Sequence, residues 1–438
     1  MDLNSAHGFS FVESPAYNPD KRLLLFFTPV VPSTSGNGTA VRAFLEIEVL
    51  SRSFNIALCV VTIYDLLPAF SDPSYVSDRC VSVTVIPGRT PPEEMQSLLK
   101  CFGQTRWEVI HAFRMSMIPH ALRVAEMCSA PSHGFRPYMC LDMDDYESKK
   151  ALREAALFAW QGDQEKADSI RTWAKICARG ELIAIPKFDR VYLSNPGDVC
   201  ELSARSRSDR LMHLPNAICA PAKGRKMRHT SHSASILFVG TLNYYPNEDA
   251  MLFFCRDILP LIRAQLKSDL TLTIVGMSPS DRVRQLAKDH PYIRIEADVL
   301  SVDCYYEAAD LAIVPLRIGG GTRIKILEAM NFGVPVVSTK MGADGLAVKD
   351  GQELLIATSH DDFARSCVCV LEDQALSERL ASQARHWIDS HHTVENMASV
   401  MHLERALELF WAHNEACQTE EPRDAHQPDI TYTSEVVS

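Results

Sequence analysis

The chain reads as an α/β protein of two parallel-sheet domains facing each other across a cleft. Three observations predict this. Short apolar runs alternate with helical patterns from Arg22 onward, lose that rhythm in a stretch rich in Arg, Lys, Ser and His at 201–230, and resume it at Ile236. At 438 residues the chain exceeds what one hydrophobic core ordinarily organises. The apolar run 309–316 feeds three glycines and then a helical stretch, the strand–turn–helix junction where open parallel sheets receive ligands.

Residues 1–20 are polar and rich in Pro and Asn, and read as a flexible arm. Arg22 to Phe27 is nearly all apolar, as a parallel strand covered on both faces requires. A loop carrying Pro29, Pro32, Gly36 and Gly38 leads into a helix over 39–50. Strands are predicted at 55–62, 81–86 and 107–112, with a helix over 92–101. A strand at 138–141 ends in Asp142, Asp144 and Asp145, and a long helix is predicted over 146–179. Residues 190–193 and 212–214 are further strands; 201–230 read as a linker with a surface loop, solvated or facing an anionic lipid or acidic acceptor.

In the second run, strands at 236–240, 270–275, 293–295, 311–314 and 335–338 alternate with helices at 249–265, 281–288, 302–309 and 322–331. An amphipathic helix over 394–416 and an acidic, disordered tail complete the reading. The expected domains are 21–210 and 211–393, with 417–438 as the tail.

A net charge of -11 argues against general nucleic-acid binding, which wants a basic surface. The thirteen cysteines are scattered without a CxxC pair, which suits reduced thiols in a cytosol. The start MDLNSAHGFS has no basic region followed by an apolar core, so no signal peptide is expected, and no run has membrane-spanning length.

The segment GGGTRIKILEAM (319–330) carries the most chemistry. Backbone N–H groups of Gly319, Gly320, Gly321 and Thr322 and a helix N-terminus face any bound anion, and Arg323 and Lys325 add full charge. Cations in a first helical turn oppose the dipole unless an anion is present. Glu328, a turn beyond Lys325, can accept hydrogen bonds from hydroxyls. Phosphates beside a hydroxylated ring describe a nucleotide or nucleotide sugar.

The segments ILFVGTLNYYPNEDA (236–250), ADLAIVPLRIGGGTRIKILEAMNFGVPVVST (309–339) and MGADGLAVKDG (341–351) resemble glycosyltransferase family 4, in its glycine-rich GGGTR branch. SGNGTAVRAF (35–44), LDMDDYES (141–148), FDRVYLSNPGD (188–198) and LPNA (214–217) match more loosely. The resemblance implies the GT-B fold, two Rossmann-like domains with the donor site mainly in the second and residues 394–416 crossing back onto the first. It implies a retaining enzyme that uses a nucleoside-diphosphate sugar and no metal or other cofactor. It assigns Glu328 to ribose hydroxyls and the loop at Gly36 and Gly38 to closure over the diphosphate, with Arg42 one turn later near the ligand.

Two departures matter. Gly320 stands where many members have a donor-sugar glutamate, and Thr241 and Asn247 stand where many have an Arg and a Lys for the diphosphate. Asp344, in GADGL, is a candidate to replace part of that glutamate's role, or a turn aspartate. His111 and Arg114 occupy the place of a family His-x-His and are candidate sugar contacts, His111 alternatively a structural residue. Asp142, Asp144 and Asp145 leave three readings open: a divalent-metal site, hydrogen bonding to acceptor hydroxyls, or capping of the helix that follows.

The expected function is transfer of a sugar to a saccharide, lipid-linked or small-molecule hydroxyl, in the cytoplasm or at the inner face of a membrane. The alternatives are a GT-B epimerase or phosphorylase, and an inactive scaffold that keeps the fold and binds nucleotide. A two-Rossmann dehydrogenase lacks its GxGxxG after either first strand.

Overall fold

The computed structural model describes residues 14–34, 38–62, 73–88, 90, 92–130, 135–218 and 233–418. Gly36, the predicted arm up to residue 13, residues 219–230 of the predicted linker and the predicted tail beyond 418 lie outside them.

The first domain runs β1 (Arg22–Thr28), α1 (Gly38–Leu50), β2 (Phe54–Val61), α2 (Pro73–Arg79), β3 (Cys80–Ile86), α3 (Pro92–Gly103), β4 (Val109–Phe113), α4 (Ile118–Cys128), β5 (Tyr138–Asp144), α5 (Glu147–Trp160), α6 (Gln164–Ala184), β6 (Arg190–Leu193), α7 (Pro196–Ser206) and β7 (Leu211–His213). The second runs β8 (Ser233–Val239), α8 (Tyr245–Phe253), a π-helical turn at Phe254–Ile258, α9 (Leu259–Gln265), β9 (Asp269–Gly276), α10 (Asp281–Asp289), β10 (Ile293–Ala297), α11 (Asp303–Ala308), β11 (Leu311–Val314), α12 (Ile324–Asn331), β12 (Val336–Thr339), β13 (Leu355–Ala357), α13 (His360–Glu372) and α14 (Gln374–His391). Then α15 (Val394–Met401) and α16 (Glu404–Gln418) close the described chain.

Both sheets are parallel throughout, in the orders β3-β2-β1-β4-β5-β6-β7 and β10-β9-β8-β11-β12-β13. Each sheet buries a core of its own. Phe27, Trp107, Ile110 and Leu141 belong to the first, and Phe238, Ile274, Ile313 and Leu327 to the second. This is the two-domain GT-B architecture, so the fold expected from the sequence is the fold found. Among the described residues no helix is long and apolar enough to cross a membrane.

Three helices differ from expectation. The predicted helix over 146–179 is a hairpin: Gly162 at φ +88° breaks it, and the Asp163 side chain restarts it by accepting from the Lys166 N–H. The predicted helix over 322–331 begins only at Ile324, leaving Thr322 and Arg323 in the preceding loop. The predicted helix over 394–416 is two helices, α15 and α16, separated at 402–403. The chain forms two compact units, 1–401 and 402–438, and both sheets and α15 lie in the first. There α15 packs on α1, where Arg52 pairs with Glu395 at 3.0 Å, and Ile218 N–H donates to His392 O at 2.8 Å. The second unit holds α16.

Candidate active site

Each sheet reverses its strand order beside its first strand, between β1 and β4 in one domain and between β8 and β11 in the other. Chain leaving the carboxyl ends of those strands diverges to opposite faces and leaves a crevice. The segments that follow the four strands converge on one cavity of about 580 Å³, which takes Gly38 and Thr39 from the first, Arg114 from the second, Gly240 and Thr241 from the third and Gly319, Gly320 and Thr322 from the fourth.

Two helix N-termini meet there. A Cβ placed on Gly38, the first residue of α1, would lie 2.8 Å from Ile324 Cδ1, the first residue of α12. Their opening turns and partial positive charges therefore serve the same small space.

On the second-domain face, Lys325 is the central charge. Its Nζ donates to Asn247 Oδ1 at 2.7 Å and lies 4.1 Å from the centre of the Phe238 ring. Both partners are uncharged. Burial, helped by nearby Arg323 and opposed by Glu328, lowers its pKa to about 7. Asn247 is held in turn by the Thr241 carbonyl at 2.9 Å. Thus Thr241 and Asn247, where the resemblance calls for two cations, form a polar seat for a lysine that arrives from α12. Glu328 accepts from the Tyr306 hydroxyl at 2.9 Å, and burial raises its pKa.

Arg323 departs from its expected role as a helical-turn cation. It stands just before α12 and folds back onto its own loop, donating from Nη1 to the carbonyls of Gly320 and Gly321 and from Nη2 to Met341 O at 3.4 Å. Its Nε is buried without a partner while the side chain still lines the cavity. Arg323 therefore shapes the glycine loop first, and Nε with one Nη2 hydrogen remains to meet a ligand.

Two of the loop's glycines, Gly320 and Gly321, are dictated by the other domain, and Gly319 by the Arg323 side chain folded over it. Gly321 has φ +61°, and a Cβ there would lie 2.3 Å from Asp145 Oδ1 and 2.8 Å from Ser194 Oγ. At Gly320, where the resemblance calls for a glutamate, the carbon stem of Lys150 packs at 3.0–3.2 Å from the Cβ position. Thr322 is tied across the cleft as well: its N–H donates to Ser194 Oγ at 3.3 Å, and its Oγ1 accepts from Asn216 at 2.5 Å.

On the first-domain face the charges are matched. Arg114 donates to Asp144 at 2.7 Å and to Glu147 at 2.9 Å and reaches Asp145 at 3.4 Å. Lys150 pairs with Glu147 at 2.6 Å and with Asp145 at 3.2 Å. Burial opposes the charge on Asp145, but Lys150 and Arg114 hold its pKa below the usual range. Burial and the adjacent Asp145 raise Asp144 to about 6. Arg114 at φ +76° and Asp144 at φ +59° both occupy backbone space disfavoured for side-chain-bearing residues, which aims them at the cavity at the expense of local strain.

Four expected ligand contacts lie elsewhere. Arg42 is fully enclosed, donating from Nε to Asp142 at 2.6 Å, from Nη1 to Asn216 Oδ1 at 2.7 Å, and to the Leu214 carbonyl at 3.2 Å. It fastens the chain crossing between domains. Asp142 is buried with it, and neither lines the cavity. His111 is equally buried, 2.9 Å from Glu46 and stacked on Phe26 at 4.7 Å; burial lowers its pKa to about 4, so it is a neutral core ring. Burial and the neighbouring Asp142 raise Glu46 well above the carboxylate range, which leaves it a neutral acid able to donate to Asp142. Asp344 lies 2.8 Å from Arg153 of α5, whose guanidinium also donates to Gly319 O at 3.0 Å. Its place is an ion pair across the cleft and not the cavity wall.

The sequence reading did not single out Lys150, Ser194, Asn216 or Tyr244. Asn216 lay in the quoted LPNA, and Lys150 follows Glu147 at the i+3 spacing that pairs charges on a helix. The position of Tyr244 beside Lys150 comes from domain apposition and had no local signal.

Residues 233–373 match the family described as glycosyl transferases group 1. A curated relative from Klebsiella pneumoniae, an uncharacterized 44.6 kDa protein in the cps region, is 24% identical over 175 residues, 38% of this chain and 45% of its own length. The match thus spans less than half of that relative. Sucrose-phosphate synthase from Thermosynechococcus elongatus has a similar structure, with a TM-score of 0.64 at 15% identity over 90% of this chain and all of that one. HepE from Anabaena, crystallised with UDP and glucose, gives 0.62 at 12% identity over 89% of this chain and all of its own. The lipopolysaccharide outer core galactosyltransferase WaaB gives 0.55 at 12% identity over 87% and 98%. The class that this fold and the matched domain define is the glycosyltransferase superfamily.

Proposed function

We propose that the chain transfers a sugar from a nucleoside-diphosphate sugar to an acceptor hydroxyl with retention of configuration, without a metal or other cofactor, as a member of the glycine-rich branch of glycosyltransferase family 4. The observation that carries this is Lys325: a buried ammonium that touches an amide and a ring and forms no ion pair among the described residues, beside two helix N-termini, at the switch points of two parallel sheets. Such a site is completed by an anion. HepE, of similar fold, holds UDP and glucose, and the pairing of phosphate site with Glu328 suits a nucleotide with a ribose.

In the reaction, charge grows on the departing diphosphate. Lys325, Arg323 Nε and the N–H groups opening α1 and α12 stabilise it. The carboxylate of Asp144, at the facing wall, takes the acceptor hydroxyl and is poised by its pKa of about 6 to accept its proton. Asp142, Asp144 and Asp145 each lean on Arg42, Arg114 or Lys150, an arrangement that favours the metal-free reading. The acceptor belongs to glycan, lipid-linked saccharide or glycosylated-metabolite assembly, and the protein works in the cytoplasm or against the inner face of a membrane.

Titration calorimetry with UDP, GDP and their sugars, followed by product analysis with candidate acceptors, tests the proposal. Nucleotide binding with transfer supports it. Binding without transfer assigns the chain to the inactive-scaffold reading that Gly320 motivates, and a rearranged nucleotide sugar without acceptor assigns it to an epimerase.

A further inference from the structure

The helical hairpin of α5 and α6 exposes more apolar surface than its share. Among the described residues nine large hydrophobic side chains are exposed, and five lie on these two helices: Leu152, Trp160, Trp173, Ile176 and Ile183. Trp160 and Trp173 are 72% and 58% exposed. Scattered apolar residues are normal on a protein surface, but a cluster marks a contact.

Their spacing is not accidental to the packing. The face of α6 that packs inward carries Ala167, Ala174 and Glu181. Ile176 and Ile183 each follow one of these by two residues, which turns them about 200° away. The outward face is therefore built from Ile176, Ile183 and the flanking Trp173, with Lys175 and Arg179 exposed on its shoulders.

Charge follows the same division. Toward its start α6 carries Glu165 and Asp168 beside Lys166, and Asp168 pairs with Arg171 at 2.5 Å; from there to Lys187 the charged residues are Lys175, Arg179 and Lys187 and one acid, Glu181. That acid is buried and accepts from Ser148 at 2.6 Å. A basic, tryptophan-bearing apolar stripe thus stands on a chain whose net charge is -11.

We infer that the outer face of the α5–α6 hairpin docks on an anionic lipid bilayer, with Trp173, Ile176 and Ile183 entering the headgroup boundary and Lys175 and Arg179 meeting lipid phosphates. Lysine and arginine stems lie along apolar surface while their heads reach anions, and indole rings settle at the boundary between the two media. A second copy of the chain fits less well, since two such stripes would bring like charges together. The hairpin also borders the cavity: Arg153 holds Gly319 O, and Phe158 stacks on Tyr245 at 4.5 Å. Docking there would offer the cleft a lipid-linked acceptor, a corollary that rests on the sugar-transfer reading, whereas the docking itself does not.

The test is sedimentation of the full chain, without donor, against vesicles of phosphatidylcholine with and without phosphatidylglycerol. The expected result is binding about ten-fold tighter to the anionic vesicles, weakened by salt. Trp173→Ser with Ile176→Ser, and separately Lys175→Glu with Arg179→Glu, should each weaken it about ten-fold while UDP affinity is unchanged. If the apolar pair unfolds, the charge pair decides alone. Equal binding to both vesicles, or charge-reversed protein binding as wild type does, overturns the inference. So does a dimer that the apolar pair dissociates while no vesicle binding occurs.

Discussion

The two walls of the cavity are both charged, yet they manage charge in opposite ways. The first-domain wall sets Arg114 and Lys150 against Asp144, Asp145 and Glu147, every cation facing a carboxylate. The second-domain wall buries Lys325 against an amide and an aromatic ring and turns Arg323 upon backbone carbonyls. A matched network is indifferent to further charge and offers hydroxyl partners; an unmatched buried cation gains most from an arriving anion. On the proposed function the walls divide the work, the second receiving the diphosphate and the first the neutral acceptor.

The sharpest break in that division would come from Arg42, which belongs to neither wall. Arg42→Met strands the buried Asp142 and should cost about 3–5 kcal/mol of stability, read from urea unfolding by tryptophan fluorescence. Adding Asp142→Leu should restore a good part of it. Stability left intact with donor binding lost would return Arg42 to the ligand.

Next in size is Lys325→Met, expected to weaken UDP binding on the order of 100-fold with little change in melting temperature, because the side chain's partners are neutral. A comparable loss from Lys150→Met in calorimetry would erase the contrast between the walls. Asp144→Asn should lower turnover by about 100-fold and leave UDP affinity as it was. If UDP affinity falls in step with turnover, Asp144 serves the donor and not the acceptor.

The smallest effect is in pH. Asp144 must be ionised and Lys325 protonated, so kcat/KM should follow a narrow bell between about 6 and about 7. Above 7 the free protein loses the Lys325 proton and UDP affinity should fall about ten-fold per unit, until the pKa of the bound state is reached. Stability moves the other way for this group. Its lowered folded pKa means the unfolded chain binds more protons above 7, so its contribution to stability rises with pH there. Lys325→Arg, charged throughout, should flatten the alkaline limb; an unchanged limb would detach it from Lys325.

Much of this was legible beforehand. Strand Leu311–Val314 and the three glycines that follow are written in local pattern, since a doubly covered parallel strand needs a continuous apolar run and a close loop needs residues without Cβ. The break at Gly162 was missed because the helical periodicity on either side continues through it. Helix α4 was missed because Pro119 reads as a breaker, although proline is well tolerated in a first helical turn. Arg42 was placed near the ligand by the resemblance, and His111 and Asp142 had contact readings beside structural ones because they stand near strand ends; sequence cannot say whether such a side chain turns toward the crevice or under it.

From sequence alone came the two parallel sheets and the glycine loop between strand and helix, because periodicity and backbone sterics act between near neighbours. Tertiary structure alone decided which cation is left unmatched. Asn247 seats Lys325 from 78 residues away and Asp145 excludes any side chain at Gly321, and the charge state of a buried group depends on whatever the fold brings within a few ångströms.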